Sequence, residues 1–219
     1  MAFLFKIKIH GSQKPPIWRK VLVNETLSFD DFHIVIQILF GWENAHMYRF
    51  SPKGWQSRPE ISYNYDDDFG LETPLSPADT FPYGERYDAE EIKLSDYFAA
   101  PKEKITYIYD FGDNWEHIVE LVEISHEAVI CPTCTGGKGS NLTEDCGGIW
   151  GFYDMVEAVN NPKHPEHKEY REWLGMKRGE KWDLNAFDLE ATNEILREVW
   201  KEKICQRSEE RRVGKECRS

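Results

Sequence analysis

The sequence predicts an α+β fold: a single domain with a mainly antiparallel β-sheet packed against helices. Three observations carry this. Several short stretches in the first 125 residues alternate apolar and polar side chains with period two. One stretch in that half, 28–41, has helical period and both end signals. After residue 148 helical periodicity dominates. Strands first, a hairpin next and helices last is the α+β order, and no internal repeat interrupts it.

The elements follow in order. "FLFKIKIH" (3–10) places Phe3, Phe5, Ile7 and Ile9 on one face, a half-buried strand. Two prolines break it, and a second strand is expected at 17–23. In "LSFDDFHIVIQILFGW", Ser28 is an N-cap and Asp30 and Asp31 fall in the first turn, where the helix dipole favours acids. Phe29, Phe32, Ile36, Leu39 and Phe40 follow helical spacing, and Gly41 ends the helix. "HMYRF" (46–50) reads as a third strand. Residues 51–90, rich in Pro, Gly, Asp and Tyr, read as an irregular excursion with one short strand. "LSDYF" (94–98) allows one helical turn. "KITYIY" (104–109), the turn "DFGDN" and "WEHIVELVEI" (115–124) make a β-hairpin. A Cys- and Gly-rich loop fills 126–148. Helices are expected at 150–161, 165–175 and 187–203. The domain then spans 1–203. The end, 204–219, is polar and nonperiodic, reads as a disordered tail and is compatible with a foreign extension. Cys217 lies in it and is left out of any site.

With 219 residues the chain has the length of one full domain. A domain of this size buries roughly 70% of its unfolded surface, so folding alone requires no disulfide or metal. Residues 1–11 alternate apolar and charged side chains, unlike a signal peptide or anchor. No run approaches the ~20 apolar residues of a membrane span. The expectation is a cytoplasmic protein with no membrane partner.

The net charge of −12 disfavours a broad nucleic-acid surface. Eleven acids and two bases fall within 60–98, giving that stretch −9 and reading as a solvated loop. A local basic patch from Arg19, Lys20, Arg49, Lys53 and Arg58 remains open to the rest of the chain.

"YDFGDNWEHIVEL" (109–121) concentrates two aspartates, a histidine and several aromatics. Extended, it would put Asp113, Trp115, His117, Val119 and Leu121 on one face. Four residues of strand span about 13 Å, so Asp113 and His117 do not meet as a local pair. Asp110, Gly112, Asp113 and Asn114 are turn formers, and the structural reading is a decorated hairpin. "CPTCTGGKGSNLTEDCGG" (131–148) spaces Cys131 and Cys134 as C-x-x-C, with Cys146 after eleven residues. A C-x-x-C turn supplies two ligands of a tetrahedral zinc site. With Cys146 it would leave a fourth ligand to His117, His126, Glu144 or Asp145. The alternative is three reduced thiols in a loop. His46 and His33 read as structural histidines, and His164 and His167, three apart at a helix start, as a solvated face. Phosphate-binding loops, nucleophile elbows and H-E-x-x-H are absent.

Taken together, Ile17-Trp18-Arg19, Gly41-Trp42 with His46, Tyr109-Asp110-Phe111-Gly112-Asp113 with Trp115 and His117, and Glu144-Asp145-Cys146-Gly147-Gly148 resemble the plasmid pRiA4b ORF-3-like family. The resemblance covers roughly 3–200. It implies an α+β domain on an antiparallel sheet, in bacterial and archaeal proteins often associated with plasmids and insertion elements. It carries over no catalytic mechanism. Where members commonly have Pro-Pro before Glu-Asp-Cys-Gly-Gly, this chain has Asn141-Leu142-Thr143. The expected function is a noncatalytic interaction or accessory role linked to mobile elements, with an unidentified protein partner and a structural zinc at Cys131, Cys134, Cys146 and His117. The alternatives are a metal-assisted hydrolase or nuclease using His46, Asp110, Asp113 and His117, and a resolvase-associated DNA-transaction protein.

Overall fold

Eight strands form one sheet in the order β5-β4-β3-β6-β7-β1-β2-β8, antiparallel except where β4 and β5 run parallel. The computed structural model describes residues 1–55, 57–63 and 86–216, with side chains as far as 206. The strands are β1 Ala2–Ile9, β2 Trp18–Asn24, β3 Tyr48–Ser51, β4 Glu60–Ser62, β5 Arg86–Asp88, β6 Lys104–Tyr109, β7 Trp115–Ser125 and β8 Thr133–Lys138. The helices are α1 Phe29–Phe40, α2 Leu94–Tyr97, α3 Gly148–Asn160, α4 His167–Trp173 and α5 Leu189–Glu216. The α+β expectation and the single domain hold.

Period-two patterning does what it predicts. Phe3, Phe5, Ile7 and Ile9 of β1 are buried, and so are Trp115, His117, Val119 and Leu121 of β7. These two strands pair in the middle of the sheet. Helix α1 lays Phe29, Phe32 and Ile36 across the sheet, with Phe5, Phe50 and Phe98 against them at ring separations of 4.8–6.4 Å. Its ends are as expected. Ser28 Oγ accepts from Asp31 N, and Gly41, at φ +77°, donates its N–H to Gln37 O. Among the described residues no helix is long and apolar enough to cross a membrane.

Four expectations change. The Cys- and Gly-rich loop contains a strand, β8, paired with the outer edge of β2. Its glycines let the strand pack closely: a side chain at Gly137 would overlap Phe187 and Arg19. Arg19 belongs to no surface patch. It is fully buried and donates to Leu39 O, Trp18 O, Lys138 O, Ser140 O and Asn141 Oδ1 at 2.8–3.3 Å. Phe187 covers it at 3.9 Å. Two short strands, β4 and β5, flank the excursion rather than one; residues 64–85, with much of the acidic stretch, lie outside the described residues. Finally, α5 continues to Glu216, past the 203 boundary, because Glu, Arg, Lys and Gln sustain a helix well without apolar period.

Candidate metal centre

The residues that the sequence reading weighed for chemistry separate into three places. His117 is fully buried. Its ring lies 4.9 Å from Phe40, 5.0 Å from Tyr107 and 6.3 Å from Trp42, with Nδ1–H donating to Trp115 O at 2.9 Å. Burial lowers its pKa to about 3, so it is a neutral core histidine. His33 is alike: Nε2–H donates to Asn44 Oδ1, Nδ1 accepts from Tyr107 Oη, and burial lowers its pKa to about 3.

The cysteines do not meet His117 or one another in a shared ligand set. Cys131 donates toward Leu196 O of α5 at 3.8 Å. Cys134, buried on β8, is held by a two-way hydrogen bond between its backbone and the Asn193 amide. Cys146 begins the turn into α3 and donates to Thr143 O at 3.0 Å. Its pKa is pushed up to about 12 by burial and by the nearby Asp113 and Asp145 carboxylates. Among the described residues, Cys131, Cys134, Cys146 and His117 are not brought into one ligand set. C-x-x-C spacing alone does not make a knuckle when the segment is extended as a strand.

The third place is different. His46 precedes β3, Asp110 ends β6, and Glu144 and Asp145 lie in the loop before α3. His46 Nε2 is 3.4 Å from Asp145 Oδ1, 3.6 Å from Glu144 Oε2 and 3.7 Å from Asp110 Oδ2. It makes no hydrogen bond. Ligand atoms of His46, Asp110 and Asp145 all lie within 4.8 Å of one another, the one such group of three among the described residues.

Two of the carboxylates, Asp110 and Glu144, are anchored through their other oxygen, while Asp145 is largely exposed. Asp110, at φ +55°, folds the hairpin turn back on itself. Its Oδ1 accepts from Gly112 N at 2.9 Å and Asp113 N at 3.3 Å, leaving Oδ2 toward His46. Glu144 Oε1 accepts from Tyr109 Oη at 2.6 Å and Glu43 N at 2.7 Å, leaving Oε2 toward His46. Tyr109 Oη in turn accepts from Ala45 N at 3.0 Å. Burial, then its bond to Glu144, holds the Tyr109 phenol well above its ordinary pKa, so it stays a donor.

Asp113 does not join the carboxylates around His46. Its Oδ2 accepts from Gly147 N at 3.0 Å and so ties the hairpin turn to the loop carrying Glu144 and Asp145. Gly147 and Gly148 have φ of +86° and +69°, and a Cβ on Gly148 would overlap Asp113 O. Trp42 packs on Trp115 at 4.7 Å and Tyr109 at 5.5 Å, closing the underside. A cleft of about 550 Å³ opens beside His46, walled by Asn44, Met47, Tyr48, Tyr63 and Glu90 among others. Sequence reasoning singled out His46 and Asp110, but considered Glu144 and Asp145 only as a fourth ligand for the cysteines. The signal for them was their place in the Glu144–Gly148 motif.

Fold and centre define a class: an α+β domain on an open, mostly antiparallel sheet, in which segments around 41–46, 109–117 and 144–148 converge at one end. A family model described as plasmid pRiA4b ORF-3-like protein matches residues 1–191, and the chain belongs to that family. It is 28% identical over 193 residues to the uncharacterized protein y4hQ of Sinorhizobium fredii (strain NBRC 101917 / NGR234), covering 87% of this chain and 90% of that one. The crystal structure of the protein of unknown function MM3350 from Methanosarcina mazei Go1 is similar at a TM-score of 0.67. It is 31% identical, with 87% of this chain and 96% of that chain covered.

Proposed function

We propose that this protein binds a divalent metal ion through His46, Asp110 and Asp145, with Glu144 beside it, and uses the ion hydrolytically on a ligand in the adjacent cleft. The observation that carries this is an imidazole nitrogen without a hydrogen bond, facing three carboxylate oxygens at 3.4–3.7 Å. Ligands about 2.1 Å from a shared ion in a tetrahedron stand about 3.4 Å apart. The spacing is that of a coordination shell and exceeds that of good direct hydrogen bonds. One imidazole with carboxylates suits zinc or manganese.

The anchored second oxygens of Asp110 and Glu144 fix the carboxylates before an ion arrives, as outer hydrogen bonds do in metal sites. With three protein ligands, a bound ion would leave a position for water and would lower its pKa toward neutrality. Glu144 Oε2, 3.6 Å from His46 Nε2, would accept a proton from such a water. This reading retains the hydrolase alternative from the sequence and moves it from His117 and Asp113 to Glu144 and Asp145.

Calorimetric titration of chelator-treated protein with Zn²⁺ and Mn²⁺ tests it. One ion per chain is expected, with affinity falling at least 10-fold in His46→Ala and Asp110→Asn. Failure of both ions to bind stoichiometrically refutes the centre. Equal binding by His46→Ala refutes this ligand set. Hydrolysis of an activated ester that follows the ion and is lost in Glu144→Gln supports the catalytic step. Ion binding without any ion-dependent hydrolysis across ester and phosphoester substrates refutes it.

A further inference from the structure

A second cleft, of about 640 Å³, opens where the end of α1, the chain after β8, the segment after α4 and the start of α5 meet. That volume falls inside the range of about 300–1,000 Å³ that small-molecule sites occupy. His46, Asp110, Glu144 and Asp145 are not among its lining residues, so it is separate from the metal centre. Its apolar walls are Ile38, Trp42, Leu174, Met176, Trp182 and Ile195.

The two tryptophans are held from outside the cleft. Trp42, 7% exposed, packs on Trp115 at 4.7 Å and on Tyr109 at 5.5 Å. Trp182 is tied at three points. Its backbone N–H donates to Asn160 Oδ1 and its carbonyl accepts from Asn160 Nδ2, both at 2.9 Å. Its indole Nε1–H donates to Ser140 Oγ at 3.1 Å, and Phe152 packs edge-on at 5.8 Å. The segment leading to Trp182 is fastened by Arg171, whose guanidinium donates to Val159 O at 3.3 Å, to Glu180 O at 2.7 Å and to Lys177 O. The walls are therefore set before a ligand arrives, which lowers the ordering cost of binding.

The mouth is acidic. Among the described residues that line the cleft, Glu180, Asp183 and Asp188 are acids and Lys181 is the one base. All four are exposed, and Lys177 and Arg178 of the same segment do not line the cleft. Asp183 uses Oδ1 in its own turn, accepting from Asn185 N at 2.9 Å. Asp188 uses Oδ1 to cap α5, accepting from Ala191 N at 2.9 Å. One oxygen of each is thereby fixed, and the other remains for a ligand.

We propose that this cleft binds a small organic cation with a flat apolar body, the body against Trp42 and Trp182 and the charged group among Asp183, Asp188 and Glu180. Tryptophan is the side chain that attracts cations best, and carboxylates at the mouth add a charge attraction that an anion would meet as repulsion. A flat body also covers Ile195, which is 48% exposed at the cleft. The assignment stands independently of the metal centre.

Calorimetry on the full chain in EDTA, which keeps the metal centre out of the signal, compares tryptamine with indole-3-acetate, the same ring system with the opposite charge. Tryptamine binds saturably, one per chain, about 10-fold or more tighter than indole-3-acetate. Asp183→Asn and Asp188→Asn keep the turn and cap hydrogen bonds, because an amide oxygen accepts as a carboxylate oxygen does, and remove only charge. Together they erase the advantage of tryptamine. Ala191→Phe fills the cleft from the half-buried side of α5 and abolishes binding of both probes. Absence of saturable tryptamine binding overturns the proposal, as does equal binding of indole-3-acetate or unchanged tryptamine affinity in the Asp183→Asn/Asp188→Asn chain. If Ala191→Phe does not fold, the Asp183→Asn/Asp188→Asn chain carries the test of location alone. Self-association of the wild-type chain that Ala191→Phe disrupts assigns the cleft to a second copy and overturns the small-ligand reading.

Discussion

Tyr109→Phe removes one oxygen and leaves the ring's packing on Trp42 intact. That oxygen donates to Glu144 Oε1 at 2.6 Å and accepts from Ala45 N at 3.0 Å. A hydrogen bond to a carboxylate contributes about 1.5–3 kcal/mol, and a partly buried N–H left without an acceptor costs about 1 kcal/mol or more. Ala45 is near enough to the surface for water to recover part of this, so a net loss of about 2 kcal/mol is expected. Urea unfolding followed by tryptophan fluorescence measures it, with an unchanged m-value as the control for two-state behaviour. The same change frees Glu144 from one of its two anchors. Outer-shell losses of this kind weaken metal binding about 10–100-fold. The two readouts separate: a stability loss under about 0.5 kcal/mol refutes the hydrogen-bond assignment. Full loss of stability with unchanged zinc and manganese affinity refutes the role of Glu144 orientation in the centre.

Arg19→Met should destabilise by about 3–5 kcal/mol, because it removes a buried charge whose donors satisfy four backbone carbonyls and Asn141; a melting curve close to wild type would refute this. Acid should weaken the fold through His33 and His117, both held near a pKa of about 3 by burial. Their pKa is depressed on folding, so the unfolded chain takes up protons first. Stability is complete above about 6.5 and falls as pH drops from there toward 3, by about 1.4 kcal/mol per unit per histidine. Unfolding free energies from urea titrations at pH 7.5 and 5 should differ by about 4 kcal/mol from these two groups, and His117→Phe should remove about half of that difference. Gly148→Ala should cost about 2 kcal/mol or more, since φ is +69° and the new Cβ meets Asp113 O; a thermal shift below 2 °C refutes the close approach.

The strands and α1 were legible because their causes are local. Alternation fixed which residues of β1 and β7 face the core, and Ser28 and Gly41 marked the ends of α1. The same alternation held information that residue type obscured. Arg19 stands in register with Ile17, Val21 and Val23, all fully buried, and is buried with them. His117 stands in register with Trp115, Val119 and Leu121. A charged or imidazole side chain in a core register is a stronger sign of burial than its chemistry is of a site. β8 was not legible, because Thr133–Lys138 holds two glycines and no alternation. It is a strand because the outer edge of β2 offers unpaired backbone groups.

The centre was half legible for a related reason. His46 and Asp110 are about sixty residues apart, and Glu144 and Asp145 a further thirty, so no spacing rule connects them. What joins them is backbone geometry that only a few residues permit. Asp110 and Asp145 lie at positive φ, as do Gly147 and Gly148, and Asp113 bonds across from the hairpin turn to the loop. Replacing any one of these conformations would turn a carboxylate away from His46 without touching the ligand atoms. The motif "YDFGDNWEH" therefore divides its work: Asp110 faces the centre, Asp113 docks the loop that brings Glu144 and Asp145, and Trp115 and His117 form the floor. Like charges gathered around one imidazole repel one another. Asp110 and Glu144 are held there by anchors of their own, and the proposed cation would offset that repulsion.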